Sequence, residues 1–269
     1  MGALLAGTRL FALVLGTTPL FLAMLLAKPL RWVSRPLGTR LHDFCVGTWA
    51  RMSVAVLGVR VRVDGEPPEP PFFLVSNHLS YLDIVVLHSL VRGRFLSKSE
   101  VADWPLAGLL ARTSGTLFID RERRRDLTRV IGEVRRSLGE GQGVVLFPEG
   151  TSTCGEGVKR FKPSLFEVAV VTGTPVSAVA LSYLTPADSP PARLAVCWWG
   201  DMTFGSHFWS LLALPRIHAT VAFGDSPVVA GDRKLLAERS HAAVEALFTP
   251  VGARGPAPQA ITERRVCAR

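Results

Sequence analysis

The run FFLVSNHLSYLD, residues 72–83, carries the clearest fold signal in the sequence. Its first part is short and apolar, which is typical of a strand buried on both faces of a sheet. Its second part begins a helical pattern, and His78 lies between the two. A strand that passes directly into a helix is the repeating unit of parallel sheets. His78 is therefore expected at the carboxyl end of a strand, where open α/β sheets place their ligand crevices.

The same alternation of strand-like and helix-like segments continues along the chain. Residues 59–63 alternate valine with arginine, as in a half-buried strand. A helix over residues 127–138 has one apolar stripe, and a closing helix is predicted over residues 232–248 with Asp232 as its N-cap. Further strand-like runs occupy residues 94–98, 115–120, 143–150, 175–184, 194–200 and 218–224. The pattern predicts one α/β domain with a largely parallel central sheet flanked by helices.

An uncharged apolar run precedes this domain and accounts for much of the mean hydropathy of +0.28. Residues 10–27 would form a helix of about 27 Å, close to the ~30 Å hydrocarbon core of a bilayer. Pro19 is expected to kink it, so a bent, half-inserted or hairpin anchor competes with a straight span. A cleaved signal peptide is a third interpretation, but the run is long and lacks a small-x-small site before Lys28. We predict an N-terminal membrane-anchoring helix.

Basic residues are distributed unequally about this run. Only Arg9 precedes it, whereas four basic residues follow closely: Lys28, Arg31, Arg35 and Arg40. The positive-inside rule then predicts location at the inner (cell) membrane with the downstream domain on the cytoplasmic side. The net charge of +9 suits an anionic membrane surface. A nucleic-acid partner is not expected, because no DNA- or RNA-binding motif or stacking pattern is present.

The length of 269 residues suits one α/β domain with short appendages. Composition divides the chain into a membrane anchor (1–35), an amphipathic helix with a connecting strand (36–65), the α/β domain (66–248) and a mobile basic tail (249–269). The four cysteines have neither C-x-x-C pairs nor metal-ligand spacing; they are Cys45, Cys154, Cys197 and Cys267. We therefore expect no metal, no disulfide framework and a reduced compartment.

His78 and Asp83 are the residues best suited to chemistry. A near-neutral histidine can accept a proton from a hydroxyl, and a carboxylate on its other ring nitrogen would fix the tautomer. Five positions correspond to about 140° on a continuous helix, so pairing requires His78 to lie in the loop before the helix. The alternative is structural: Ser80 and Asp83 resemble a capping box, and a short H-x-x-x-x-D match is common by chance.

Three further blocks accompany this one in order: GTLFIDR (115–121), FPEGTS (147–152) and PVSAVAL (175–181). With NHLSYLD (77–83), they resemble the glycerolipid acyltransferase family, whose members include the 1-acyl-sn-glycerol-3-phosphate acyltransferases. The resemblance covers roughly residues 70–185, and four ordered blocks are far more specific than one. It implies that His78 is the catalytic base and that Asp83 orients it.

The resemblance also implies a set of acceptor-binding residues: Gly115, Phe118, Arg121, Phe147, Pro148, Glu149, Gly150 and Thr151. Lys98 matches a family position that could face a donor or acceptor phosphate, although a solvated strand-end lysine fits equally well. A guanidinium such as that of Arg121 suits forked recognition of phosphate. The structural alternatives are a solvated strand end at Arg121 and a simple turn at residues 150–152.

The implied function is a membrane-associated O-acyltransferase that uses acyl-CoA or acyl carrier protein as co-substrate and needs no cofactor. The expected acceptor is a lysolipid, first of all 1-acyl-glycerol-3-phosphate, which would give phosphatidic acid. However, Pro163 replaces a glycine that many members have, and Trp104-Pro105 with residues 199–202 looks more like the lyso-ornithine-lipid acyltransferases. If the acceptor lacks a phosphate, the role of Arg121 is open.

Other classes of protein are less well supported by the sequence. A serine lipase would need a G-x-S-x-G elbow, and a nucleotide-dependent enzyme a P-loop or a Rossmann glycine pattern; neither is present. A non-catalytic peripheral membrane-binding protein would also fit the charge and the anchor. What separates the last alternative from an enzyme is whether His78 and Asp83 meet in a pocket open to the membrane side.

Overall fold

The structure is a computed structural model that describes residues 2–120 and 123–252, without the side chain of Arg124. Arg121, which the resemblance assigns to acceptor binding, lies outside the described residues. So do Cys267 and most of the predicted mobile tail.

Nine helices and seven strands form the described part of the chain. The helices are α1 (Gly2–Val33), α2 (Arg35–Val56), α3 (Leu82–Leu90), α4 (Ala107–Thr113), α5 (Arg124–Gly139), α6 (Glu167–Thr172), α7 (Ala192–Ala195), α8 (Phe204–Ala213) and α9 (Arg233–Leu247). The strands are β1 (Val59–Asp64), β2 (Phe73–Ser76), β3 (Gly93–Lys98), β4 (Leu117–Ile119), β5 (Gly143–Leu146), β6 (Val176–Leu184) and β7 (Ile217–Phe223). Short 3-10 turns occupy Ser99–Asp103 and Pro163–Phe166.

The strands form one sheet in the order β1-β7-β6-β2-β5-β3-β4. Only β6 and β7 pair antiparallel, so the predicted largely parallel sheet flanked by helices is confirmed. β2 lies near the centre, between β5 and β6. β1, assigned from the sequence to the connecting segment 36–65, pairs with β7 and forms one edge. The sheet therefore begins before the predicted domain boundary at residue 66.

The core is divided between the two faces of this sheet. Leu74 of β2 packs in the cluster that includes α3 and α8, whereas Phe73 and Val75 pack in the cluster that includes α5 and α9. All four residues of β2 are buried. Burial of each large apolar side chain contributes about 1.5–3 kcal/mol, which makes the central strands a rigid support for the loops that follow them.

One predicted strand is wrong. Residues 194–200 contain the end of α7 and an irregular segment rather than a strand. The backbone N–H of Trp198 donates to Leu79 O at 2.8 Å, in the loop that follows β2, and is therefore not available to a sheet ladder. The predicted closing helix is confirmed, since Asp232 Oδ1 accepts the N–H groups of Lys234 and Leu235 at 2.8 and 3.0 Å.

Helices α1 and α2 form an antiparallel hairpin that lies along the domain. Trp49 Nε1 donates to Thr17 Oγ1 at 3.2 Å, which joins the two helices near their middles. The start of α1 is docked on the α8–β7 connection, because the buried guanidinium of Arg9 donates to Leu212 O at 3.0 Å and also to Leu214 O. α1 continues through Pro19 and is long and apolar enough to cross a membrane.

The outer face of the hairpin is apolar and exposed. Its exposed side chains include Leu4, Phe11, Val14, Leu15, Leu26, Trp32, Leu37 and Phe44. Exposed Leu106 and Leu109 of the adjoining α4 segment add to this surface, since α4 contacts α1. Several large apolar side chains exposed on neighbouring helices are typical of a site that contacts a membrane or a protein partner.

Candidate active site

The loop that carries His78 is held at its start by a side-chain clamp. Asn77 follows β2 directly and is buried. Its Nδ2 donates to Leu181 O at 2.9 Å, and its Oδ1 accepts from Leu181 N at 2.8 Å. The amide therefore extends the β2–β6 pairing beyond the last strand residue. This fixes where the chain leaves the sheet and where His78 begins.

His78 and Asp83 meet, as the loop placement of the histidine requires. The ring Nδ1 lies 2.8 Å from Asp83 Oδ2. Asp83 is fully buried, and the same oxygen accepts the backbone N–H groups of Leu79 and Ser80 at 2.7 and 3.0 Å. Its other oxygen accepts from Tyr183 Oη at 2.7 Å. Asp83 thus orders the start of α3, as the capping-box interpretation of this segment predicted. The same carboxylate also binds His78.

The position of the ring leaves its second nitrogen available. The His78 side chain is 21% exposed and stacks on Phe147, with ring centroids 4.2 Å apart and an interplanar angle of 16°. Because an ionised carboxylate has no proton to donate, Nδ1 carries the hydrogen and Nε2 has a free lone pair. Within the described residues, Nε2 makes no hydrogen bond. The arrangement can remove a proton from a hydroxyl group placed against Nε2.

Glu149 supports this loop from the neighbouring strand. It follows β5, is only 3% exposed, and accepts His78 N at 2.9 Å and Lys159 N at 3.3 Å. Burial raises the pKa of Glu149 to about 7, although the two backbone N–H groups oppose the shift. Both oxygens are directed at backbone amides. Direct contact of Glu149 with an acceptor headgroup stays a prediction that this geometry does not favour.

The remaining residues of the third block form the turn beside the histidine. Pro148 is buried, and its carbonyl accepts Lys162 N at 2.9 Å. Gly150 adopts φ +75°, which places it in the left-handed region that favours glycine. Thr151 is exposed. Thr151 and the turn at Gly150 can therefore present polar groups at the rim of the site, and their acceptor contact stays a prediction.

The second block lies apart from His78. Phe118 is in the edge strand β4, three strands from β2, which corresponds to roughly 14 Å at about 4.8 Å per strand. Gly115, with φ +83°, precedes the same strand. Lys98 is exposed at the end of β3. The structure therefore groups His78 with the third block, and the roles predicted for Gly115, Phe118 and Lys98 stay predictions.

An aromatic cluster borders the loop that carries His78. It consists of Tyr81, Trp104, Trp198 and Phe204, whose rings lie 5.1–6.3 Å from their neighbours. Trp104 and Phe204 are 38% and 40% exposed. Tyr81 Oη also lies 2.9 Å from Nδ1 of the buried His207. The cluster offers an apolar wall to a substrate beside His78.

Three contributors to the site were missed in the sequence: Asn77, Tyr183 and Trp198. Asn77 and Tyr183 act across about a hundred positions of chain, and Trp198 was assigned to a strand. The position of Asn77 between a buried strand and His78 could have indicated its contribution to the site. In the part of the chain that the structure describes, no three His, Cys, Asp or Glu side chains group as metal ligands.

Comparisons with known proteins converge on one family. A family model described as Acyltransferase matches residues 59–182. The chain is 34% identical over 250 residues to the lyso-ornithine lipid O-acyltransferase of Rhodobacter capsulatus, covering 90% of this chain and 88% of that one. It is 38% identical to the protein of that name in Pseudomonas aeruginosa, covering 74% and 77%. The 1-acyl-sn-glycerol-3-phosphate acyltransferase of Neisseria gonorrhoeae is 31% identical, covering 64% and 67%.

A solved structure supports the fold. The 1-acyl-sn-glycerophosphate acyltransferase of Thermotoga maritima superposes with a TM-score of 0.64 at 20% identity, covering 91% of this chain and 95% of that one. At this identity the likeness establishes the fold alone.

Proposed function

Since the chain belongs to the acyltransferase family, we propose that it transfers a fatty acyl group from a thioester donor to the hydroxyl of lyso-ornithine lipid. The family resemblance predicted from the four blocks is confirmed, and the protein is an acyltransferase of the lysolipid type. The observation that carries the choice of acceptor is the 34% identity over 90% of the chain to the R. capsulatus enzyme. Pro163 and the tryptophan motifs, quoted above, support the same branch.

The second candidate acceptor is 1-acyl-glycerol-3-phosphate. It is supported by relatives of that name in two Neisseria species, each 31% identical over 63–64% of the chain. The two acceptors differ in the headgroup: a phosphate in one, and a carboxylate with an ammonium group in the other. Both present a hydroxyl to be acylated, so one mechanism serves either.

The mechanism follows from the geometry around His78. Nε2 takes the proton of the acceptor hydroxyl while the oxygen attacks the carbonyl carbon of the thioester. Asp83 stabilises the imidazolium through Nδ1 at 2.8 Å. The tetrahedral intermediate then collapses, the carbon–sulfur bond breaks, and the thiolate leaves and takes the proton from His78. General-base catalysis of this kind typically contributes ~10²–10⁴-fold to the rate. The mechanism uses neither a metal nor a cofactor.

We further propose that the hairpin rests on the inner face of the cell membrane with its apolar side in the bilayer. The exposed residues of α1 support this, as do the basic residues at its end. A straight span is less well supported, because Arg9 holds the start of α1 against the α/β domain. The aromatic cluster lies beside α8, which also contacts α1. A lipid acceptor could therefore reach His78 from the bilayer.

The decisive experiment measures transfer of labelled acyl groups from acyl-CoA and from acyl carrier protein to each of the two lysolipids. Wild type is compared with His78→Ala and with His218→Ala, a matched histidine on β7 outside the site. We expect acylation of lyso-ornithine lipid that His78→Ala abolishes and His218→Ala retains. Activity with 1-acyl-glycerol-3-phosphate alone would mean that this lysolipid, and not lyso-ornithine lipid, is the acceptor. Full activity of His78→Ala would contradict the proposed role of His78 as general base.

A further inference from the structure

A cavity rich in arginine opens at the free edge of the sheet. Its volume is about 500 Å³, and it is bounded by β4, by the end of α4 and by one side of α5. Four arginines and one glutamate supply its charged groups: Arg94, Arg112, Arg129, Arg136 and Glu133. The cavity lies at β4, three strands from β2, and its lining includes Gly115 and Phe118 of the second sequence block but no residue of the loop that carries His78. A net positive cavity of this size suits a small anionic group.

One of these arginines is already fully engaged and forms the wall. Arg129 donates to both oxygens of Asp126 at 2.6 and 3.0 Å, to Glu133 Oε1 at 2.7 Å and to Phe118 O at 2.6 Å. These bonds tie α5 to the edge strand β4. The ion pair with Arg129 also offsets the negative charge of Glu133. Arg129 therefore shapes the cavity and has little capacity left for a ligand.

The other three arginines have weaker partners. The nearest carboxylate oxygen to Arg94 is that of Glu140 at 3.9 Å. Arg112 lies 3.6 Å from Asp103, with both side chains more than half exposed, and its guanidinium sits 5.7 Å from the centre of the Phe118 ring. Within the described residues, Arg136 has no ion pair. Three guanidinium groups thus share one cavity, and the carboxylates nearest to Arg112 and Arg94 lie 3.6 and 3.9 Å away.

The surroundings of Arg94 add an electrostatic reason for an anion. Its side chain is 20% exposed, and burial and repulsion from Arg31 at the end of α1 lower its pKa, although the nearby carboxylates of Glu140, Asp43 and Glu133 oppose part of this shift. A bound anion would offset both unfavourable effects. Arginine guanidinium groups are also the side chains best suited to bidentate contacts with phosphate oxygens.

The cavity adjoins the proposed membrane-contacting surface. α4 supplies Arg112 to the cavity and exposes Leu109 on the apolar surface next to α1. A ligand with a phosphate in the cavity would therefore have apolar surface within reach for its tails. Basic pockets next to membrane helices are typical binding sites for anionic lipid headgroups.

We propose that this cavity binds the phosphate-bearing headgroup of an anionic membrane phospholipid, at a site separate from the catalytic histidine. The proposal rests on the proposed membrane contact of the hairpin. A bound phospholipid would hold the sheet edge at the bilayer surface and so add a second contact beside that of the hairpin. Two contacts would orient the domain, whereas one would allow it to rotate.

The first test uses vesicle flotation with the full chain. Vesicles of phosphatidylcholine are compared with vesicles that also contain phosphatidylglycerol, for wild type and for the Arg94→Gln/Arg112→Gln/Arg136→Gln variant. The control is Arg60→Gln/Arg125→Gln/Arg135→Gln, which removes the same charge from exposed positions outside the cavity. We expect the cavity variant alone to lose about tenfold in binding to the anionic vesicles. Equal losses in both variants would reduce the effect to net charge and overturn the proposal.

A second test needs no bilayer and so separates this proposal from the membrane proposal. Thermal unfolding is measured with dihexanoylphosphatidylglycerol, with dihexanoylphosphatidylcholine and with inorganic phosphate. We expect only the first to raise the unfolding temperature of wild type, and to have no effect on Arg112→Gln/Arg136→Gln, which keeps the half-buried Arg94. An equal effect of inorganic phosphate, or an equal rise in the unfolding temperature of Arg112→Gln/Arg136→Gln, would overturn it. In the flotation test, failure of every protein, wild type included, to bind phosphatidylcholine vesicles would instead contradict the proposed contact of the hairpin with the membrane.

Discussion

Four hydrogen-bond donors converge on the carboxylate of Asp83, and Tyr183 supplies the one that comes from farthest along the chain. Tyr183 is 2% exposed, so its loss would leave a buried carboxylate oxygen without a donor. We expect Tyr183→Phe to destabilise the fold by about 1.5–3 kcal/mol, the usual range for a hydrogen bond to a charged group. The measurement is urea unfolding in detergent.

The second tyrosine of the chain provides the control. Tyr81 Oη bonds to His207, which is not a carboxylate, so Tyr81→Phe should cost less, about 0.5–1.5 kcal/mol. Equal losses in the two variants would mean that Tyr183 contributes packing rather than a bond to Asp83.

Glu149 is a positioning residue in this arrangement, because its carboxylate accepts the backbone N–H of His78 rather than facing solvent. In Glu149→Gln, the amide can accept only one of the two backbone donors. We expect kcat to fall by up to ~100-fold through misplacement of His78, with KM for the acceptor little changed. Steady-state kinetics would show this, with exposed Glu156→Gln as the control. A rise in KM at constant kcat would instead support direct contact of Glu149 with the acceptor headgroup, as the family resemblance implies.

The same residue makes stability depend on pH. Burial raises the pKa of Glu149 from 4.5 to about 7, so the folded protein holds this proton more tightly than the unfolded chain does. The folded state therefore loses stability as pH rises from about 5 to about 7, and loses no more above that. Between pH 5 and pH 8, wild type should lose up to ~3 kcal/mol more than Glu149→Gln. Identical pH profiles of the unfolding free energy in the two proteins would contradict this.

At the scale of elements, α1 is joined to the domain by one buried cation. Arg9 donates to the carbonyl oxygens of Leu212, Leu214 and Pro215, which connect α8 to β7. In Arg9→Met, these carbonyls lose their donor, and we expect the first two turns of α1 to open. Hydrogen exchange should increase there and at the start of β7, whereas exposed Arg40→Met should change neither. Unchanged exchange in Arg9→Met would show that apolar packing alone docks the helix.

The success of the sequence-based predictions also differs between elements. The strand before His78 and the helix after it were predictable, because their signals are local: a buried run, then a helical pattern. The strand predicted at residues 194–200 was wrong because the N–H of Trp198 donates to Leu79 in the loop that carries His78, a partner that periodicity cannot reveal. Tyr183 and Asn77 were missed for a similar reason, since each acts through a contact about a hundred residues away.

At the scale of the whole molecule, the way α1 contacts the membrane decides on which side of the bilayer the first turns of α1 lie. If α1 lies along the membrane surface, its first turns face the cytoplasm, whereas a straight span would place them on the other side. Gly7→Cys and Gly205→Cys introduce thiols where an added Cβ meets nothing within 4 Å. An impermeant thiol reagent should label both in inverted vesicles and neither in intact cells. Labelling of Gly7→Cys alone in intact cells would establish a span.

The clamp of Asn77 on Leu181 and the bond of Tyr183 to Asp83 also order events during synthesis. The ribosome releases the hairpin first, so it can reach the bilayer while most of the sheet is still being made. Three of the four sequence blocks then emerge before β6, whereas the Asn77 clamp and the bond from Tyr183 to Asp83 can form only after β6 has been made. If the hairpin contacts the membrane as proposed, the nascent chain reaches the bilayer before the loop that carries His78 is complete, because β6 supplies two of the contacts that hold this loop.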